Sequence, residues 1–96
     1  MKAELYETLA LEFLEKGTKD ETLFTGLASE TGEIMSERVK ELRTGMSSSE
    51  EIVDELGDVL WYVTMLANRM GSSLEEVMKS SIEKLEDRAL NGKKGK

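Results

Sequence analysis

Ninety-six residues, 39% of them hydrophobic and 34% charged, suffice for one small domain near the lower size limit for folding alone. No apolar run approaches the ~20 residues of a membrane span, and without Cys there are no disulfides or thiolate sites. The net charge of −7 gives no basic face for a nucleic-acid polymer. The absence of His removes the commonest general base and transition-metal ligand. Any metal site must therefore be built from oxygen, which favours Mg²⁺, Mn²⁺ or Ca²⁺.

The N-terminal segment carries Glu4, Glu7, Glu12 and Glu15 among its apolar positions, so it does not read as a signal peptide, and the protein reads as cytoplasmic. The spacing predicts a first helix over about Lys2 to Lys16, with Leu5, Leu9, Phe13 and Leu14 along its apolar stripe and Gly17 ending it. Thr18-x-x-Glu21 has the form of a capping box for a second helix, expected over about Thr22 to Arg43 and stopped near Gly45. Ser48-x-x-Glu51 opens a third, to about Met70, with Ile52, Leu56, Val59, Leu60, Val63, Leu66 and Met70 as its apolar face. Gly71 breaks it, and Ser73-x-x-Glu76 caps a fourth, through about Arg88. No strand signal interrupts this pattern. The expectation is an all-α four-helix bundle forming a single domain over residues 1–90, followed by a basic mobile end over 91–96 with Lys93, Lys94 and Lys96.

Acidic residues fall where helical periodicity calls for apolar ones. On the second helix Leu23, Leu27, Ile34 and Met35 are expected to point inward, and Glu30 lies between Leu27 and Ile34 on that stripe. Glu33 is its i+3 neighbour, and Glu37 continues along the same face. On the third helix Glu55 and Asp58 are three apart and border the apolar face. Carboxylates gathered at an interior seam repel one another and need protonation, water or a cation. A bound Mg²⁺ or Mn²⁺ accounts for Glu30, Glu33, Glu55 and Asp58 together. The bland alternative, surface acids on amphipathic helices, fits one Glu-x-x-Glu pair better than two pairs on consecutive helices.

The assembled pattern, Glu30-x-x-Glu33, 21 intervening residues, then Glu55-x-x-Asp58, resembles the signature of the MazG-like all-α nucleotide pyrophosphohydrolases. GLASETGEI (Gly26 to Ile34) is similar to that family's second-helix motif, and ELGDVLWYVTMLANRMGSSLEEV (Glu55 to Val77) to its third helix and the turn beyond. The resemblance covers roughly residues 22–88. It implies Mg²⁺-dependent hydrolysis of a nucleoside triphosphate between the α and β phosphates, giving a monophosphate and pyrophosphate. Glu30, Glu33, Glu55 and Asp58 would be the metal ligands and catalytic residues. It also implies a homodimer or a dimer of dimers. Surplus apolar surface (Val63, Met70, Val77, Met78, Ile82) argues in the same direction. Two positions depart from many relatives: Ser29 stands where they carry a third acid, and Ser81 where some carry Asn.

Lys84 and Arg88 are i, i+4 and resemble the family's phosphate-facing element, although Glu83, Glu86 and Asp87 beside them also suit a solvated charge network. Trp61 and Tyr62 suit either base stacking or the core. Asn68 suits a nucleotide contact or simple exposure. Rival readings are a nucleotide- or metal-binding regulator without turnover, and a helical bundle used only for interaction. A di-iron carboxylate protein needs Glu-x-x-His motifs that a chain without His does not have.

Overall fold

The computed structural model describes residues 1–92, and among them are four helices and no strand. These are α1 (Ala3–Leu11), α2 (Asp20–Thr44), α3 (Ser49–Arg69) and α4 (Leu74–Leu90). The all-α class and the number of helices are as the spacing predicts. No helix among the described residues is long and apolar enough to cross a membrane. The basic end at Lys93, Lys94 and Lys96 lies outside the described residues.

The α2–α3 hairpin is the frame. Gly45 takes φ +73°, a left-handed conformation that suits glycine, and its N–H bonds to the Glu41 carbonyl at 2.8 Å. Ser48 follows as the N-cap of α3, but its hydroxyl makes no capping bond. Instead the Ser48 N–H donates to the Glu41 carboxylate at 2.7 Å, so a side chain of α2 caps the start of α3. The expected Ser48–Glu51 box is thus replaced by a clamp across the turn. Thr18–Glu21 also does not form: α2 begins at Asp20, with Lys19 as N-cap, and the Thr18 hydroxyl bonds to the Glu15 carbonyl. Ser73 does cap α4, accepting from the Glu76 N–H at 3.1 Å.

The core gathers at the open end of the hairpin. Leu23, Met65, Leu66 and Ala10 are buried, with Tyr6, Leu11, Leu14, Leu27, Trp61 and Tyr62 packed around them. On α1 this differs from the expected stripe. Leu5, Leu9 and Phe13 are exposed, Phe13 at 77%, whereas Tyr6 and Ala10 face the core. Two stripes compete on this short helix, and the one with the small Ala10 allows α1 to lie close against α3. Tightened i→i−3 bonds (Glu12 to Leu9, Phe13 to Ala10, Leu14 to Leu11) end α1 early and turn Leu14 inward.

On α3 the expected apolar face is divided. Leu66 is buried and Ile52, Val59 and Val63 are half-buried, but Leu56, Leu60 and Met70 are exposed, Leu56 at 50%. Met35 of α2 is exposed as well. The α4 helix is attached only by its first turn. Leu74 is buried and its N–H donates to the Glu7 carboxylate at 2.8 Å, while every residue from Glu75 to Asp87 is exposed. The radius of gyration of 15.9 Å exceeds the ~12.5 Å of a compact chain this long, so one chain does not close the bundle on itself.

Candidate metal centre

The inward face of α2 runs through Leu23, Leu27, Glu30, Ile34, Glu37 and Glu41, a spacing of four and three that keeps all of them against α3. Glu30 is therefore half-buried by position, not by exception. Antiparallel pairing sets it beside Glu55 and Asp58, one turn apart on α3. Carboxylate oxygens of Glu30, Glu55 and Asp58 lie within 4.8 Å of one another. Glu33 is exposed on the next turn of α2 and stands outside this group of three.

The electrostatics follow from the crowding. The Glu55 carboxyl is raised to about 7, first by sharing a hydrogen bond with Glu30, then by desolvation and the charges of Glu30, Asp58 and Asp54. Three hard oxygen donors converging at a partly open seam fit a divalent ion that prefers oxygen. Further along the seam Glu37 has an Oε1 shielded from solvent without a hydrogen-bond partner, 3.6 Å from Lys40 Nζ. Glu41 is held below the usual carboxylate range by the Ser48 N–H and by Arg38, so it belongs to the turn and not to the cluster.

Aromatic side chains form the floor beyond the acids. The Tyr62 ring occupies the space where a side chain at residue 26 would stand, so Gly26 is what allows α2 and α3 to approach one turn from Glu30. Trp61 meets Tyr62 edge to face at 5.1 Å, and its indole N–H donates to the Ala10 carbonyl at 3.1 Å. Of the two roles open to Trp61, the core role accounts for its polar atom. Asn68 is exposed, with its amide 3.5 Å from Glu7. Tyr6 was not among the candidate residues, yet its hydroxyl is raised by burial and by the charge of Asp58. The competing stripe on α1 hid it.

Lys84 and Arg88 share a shallow groove with Ser80, Glu83 and Asp87, entirely on the surface of α4. None of the clustered acids lines that groove, so the structure does not bring the cations and the acids of one chain into a common cleft.

A model of the "MazG nucleotide pyrophosphohydrolase domain" family matches residues 18–92. The "Gene 37 protein" of Mycobacterium phage L5 is 40% identical over 72 residues, covering 70% of this chain and 63% of that protein. The "Uncharacterized protein YvdC" of Bacillus subtilis (strain 168) is 46% identical over 39 residues, covering 41% of this chain and 37% of its own length. The match thus spans less than two thirds of either relative. No solved structure matches the chain. With the family match running from just before α2 through α4 and enclosing Glu30, Glu55 and Asp58, the chain belongs to the MazG nucleotide pyrophosphohydrolase domain family.

Proposed function

We propose that the protein is a Mg²⁺-dependent nucleoside triphosphate pyrophosphohydrolase that releases pyrophosphate and leaves a nucleoside monophosphate. The observation that carries this reading is the convergence of Glu30, Glu55 and Asp58 within 4.8 Å, inside the region matched by the family. Glu30, Glu55 and Asp58 would hold the ion, and Glu33, on the adjoining turn, would join them through its longer reach into solvent. A divalent ion there supplies charge neutralisation for the phosphates and a lowered pKa for bound water. The chain's own acids do the rest. They would place the ion at the seam, and through it the triphosphate, with the proton that Glu55 shares with Glu30 released when the ion binds. Mn²⁺ suits the same oxygen donors.

Lys84 and Arg88 lie apart from the acids of their own chain, so in this reading any phosphate contact from them, Arg88 as a bidentate donor, would be made at the site of another copy. Tyr62, one turn from the acids along the seam, would be the nearer of the two candidate base contacts, and Asn68, beside Glu7, the more distant. The location of the reaction is cytoplasmic, where triphosphates are available.

Phosphorus NMR of a nucleoside triphosphate incubated with protein and Mg²⁺ tests the reading. Appearance of pyrophosphate and monophosphate supports it. Diphosphate and orthophosphate mean cleavage at the β–γ bond and a different enzyme. Binding without products means a regulator.

A further inference from the structure

The three clustered acids come from two helices: Glu30 from α2, Glu55 and Asp58 from α3. The width of the α2–α3 seam therefore decides how far apart the donors stand. Near the acids that width is set by Gly26 and Tyr62, since the distance between packed helices depends on the side chains at their contact. Gly26 lies four residues from Glu30, and Tyr62 four residues from Asp58, both away from the closed end of the hairpin. The contact thus sits about 6 Å along the helix axes from the cluster. The clamp at the closed end, Ser48 N–H to the Glu41 carboxylate, is about 17 Å along α2 from Glu30.

This contact has no slack. A Cβ on residue 26 would overlap Cε1, Cζ and Oη of Tyr62, so the tip of the ring rests on the backbone of α2. Gly32 and Gly57, the other glycines within these two helices, have no described atom within 4 Å of where a Cβ would stand. Gly26 alone of the three is filled by the opposite helix. The ring is also braced from behind. Trp61 meets it edge to face at 5.1 Å, and Trp61 is itself held by its bond to the Ala10 carbonyl at 3.1 Å. Tyr62 packs against the buried cluster of Leu23, Met65 and Leu66. A methyl at residue 26 would force the helices apart, or the ring back, by roughly 1 Å to regain ordinary carbon–carbon contact.

Ions that prefer oxygen differ by less than that. Mg²⁺ holds oxygens at about 2.1 Å in a strict octahedron, and Ca²⁺ at about 2.4 Å in looser geometries. Across two bonds spanning the seam the difference is roughly 0.6 Å. We infer that the Gly26–Tyr62 contact is the gauge of the acid site: it holds Glu30 against Glu55 and Asp58 at the spacing of a small divalent cation, and so sets the discrimination between Mg²⁺ and Ca²⁺. Gly26 and Tyr62 are positioning residues in this role, acting through the three acids, and the role rests on the metal-binding reading of that cluster.

Calorimetric titration with Mg²⁺ and with Ca²⁺ tests it, on wild type, Gly26→Ala, Tyr62→Leu, Tyr62→Phe and Glu55→Ala, with circular dichroism as the control for folding. Glu55→Ala is expected to lose both ions. Gly26→Ala and Tyr62→Leu are expected to lower Mg²⁺ affinity by about tenfold or more and Ca²⁺ affinity by less than about threefold, the scale on which outer-sphere partners act on a metal. Tyr62→Phe, which keeps Cε1 and Cζ against Gly26, is expected to retain the wild-type ratio of the two affinities. If Gly26→Ala does not fold, Tyr62→Leu decides. Simple loosening of the hairpin would weaken both ions in proportion, so an unchanged ratio in Gly26→Ala and Tyr62→Leu overturns the inference while leaving the metal site standing. A wild type that binds neither ion overturns the metal-binding reading, and the inference with it.

Discussion

Glu30 of α2 and Glu55 of α3 sit close enough to share a proton, and Glu55 keeps it to about pH 7. The folded chain therefore binds a proton that the unfolded chain, with an ordinary Glu, loses near pH 4.5. Where the native state holds more protons, stability falls as pH rises. In the absence of divalent metal, the urea midpoint is expected to decline between about pH 4.5 and 7 through this site. Glu55→Gln should flatten that decline, and Mg²⁺ should raise stability most above pH 7, where the carboxylate is free. An unchanged pH slope in Glu55→Gln would contradict the coupling.

Gly26→Ala tests the close approach of α2 to α3. Alanine favours a helix by about 1 kcal/mol over glycine, but the new methyl meets the Tyr62 ring. Overpacking of this kind costs roughly 1–3 kcal/mol. The expected outcome is net destabilisation in urea unfolding, relieved when Tyr62→Ala is added. Stabilisation by Gly26→Ala alone would show that the ring moves freely.

Trp61→Phe removes one hydrogen bond, that to the Ala10 carbonyl, and keeps an aromatic ring in the core. A loss of about 0.5–1.5 kcal/mol is expected. Amide exchange in α1 should speed up more than in the α2–α3 hairpin, since α1 is the element this bond holds. Equal protection in both would mean that α1 is anchored by other contacts.

Glu7 and Ser73 together position α4. The Glu7 carboxylate accepts from the Leu74 N–H, and Ser73 caps from within. Ser73→Ala should cost ~1 kcal/mol, in the usual range for an N-cap. Glu7→Ala should increase amide exchange at the start of α4 without altering α2 or α3. Loss of all helical signal in either variant would contradict so local a role.

What was legible in the sequence was set by period and punctuation. Gly45 and Gly71 stop helices where left-handed φ is needed, and Ser73 begins one by capping it. Glu30, interrupting the stripe between Leu27 and Ile34, was recognisable because a helix has no other face for it. What was not legible depended on tertiary choice. Leu5, Leu9 and Phe13 make as good a stripe as Tyr6 and Ala10, and only the surface of α3 decides between them. The apolar residues of α3 exceed what one chain covers, so periodicity alone did not distinguish Leu66, buried, from Leu56, exposed. The Glu41 cap on Ser48 was hidden because it joins two helices across a turn, which no local motif encodes. Tyr6 came near Asp58 only through the packing of α1.

The measurement closest to the central claim is pyrophosphate release from a panel of ribo- and deoxyribonucleoside triphosphates, with Mg²⁺ and with EDTA, by wild type and Glu55→Ala. Removing an outer-sphere partner of a metal costs about 10–100-fold in affinity or activity, and removing a ligand is expected to cost at least as much. Release that requires Mg²⁺ and falls by ~100-fold or more in Glu55→Ala is the result the account predicts. Release that persists in EDTA, or that Glu55→Ala leaves unchanged, would contradict a metal centre at Glu30, Glu55 and Asp58.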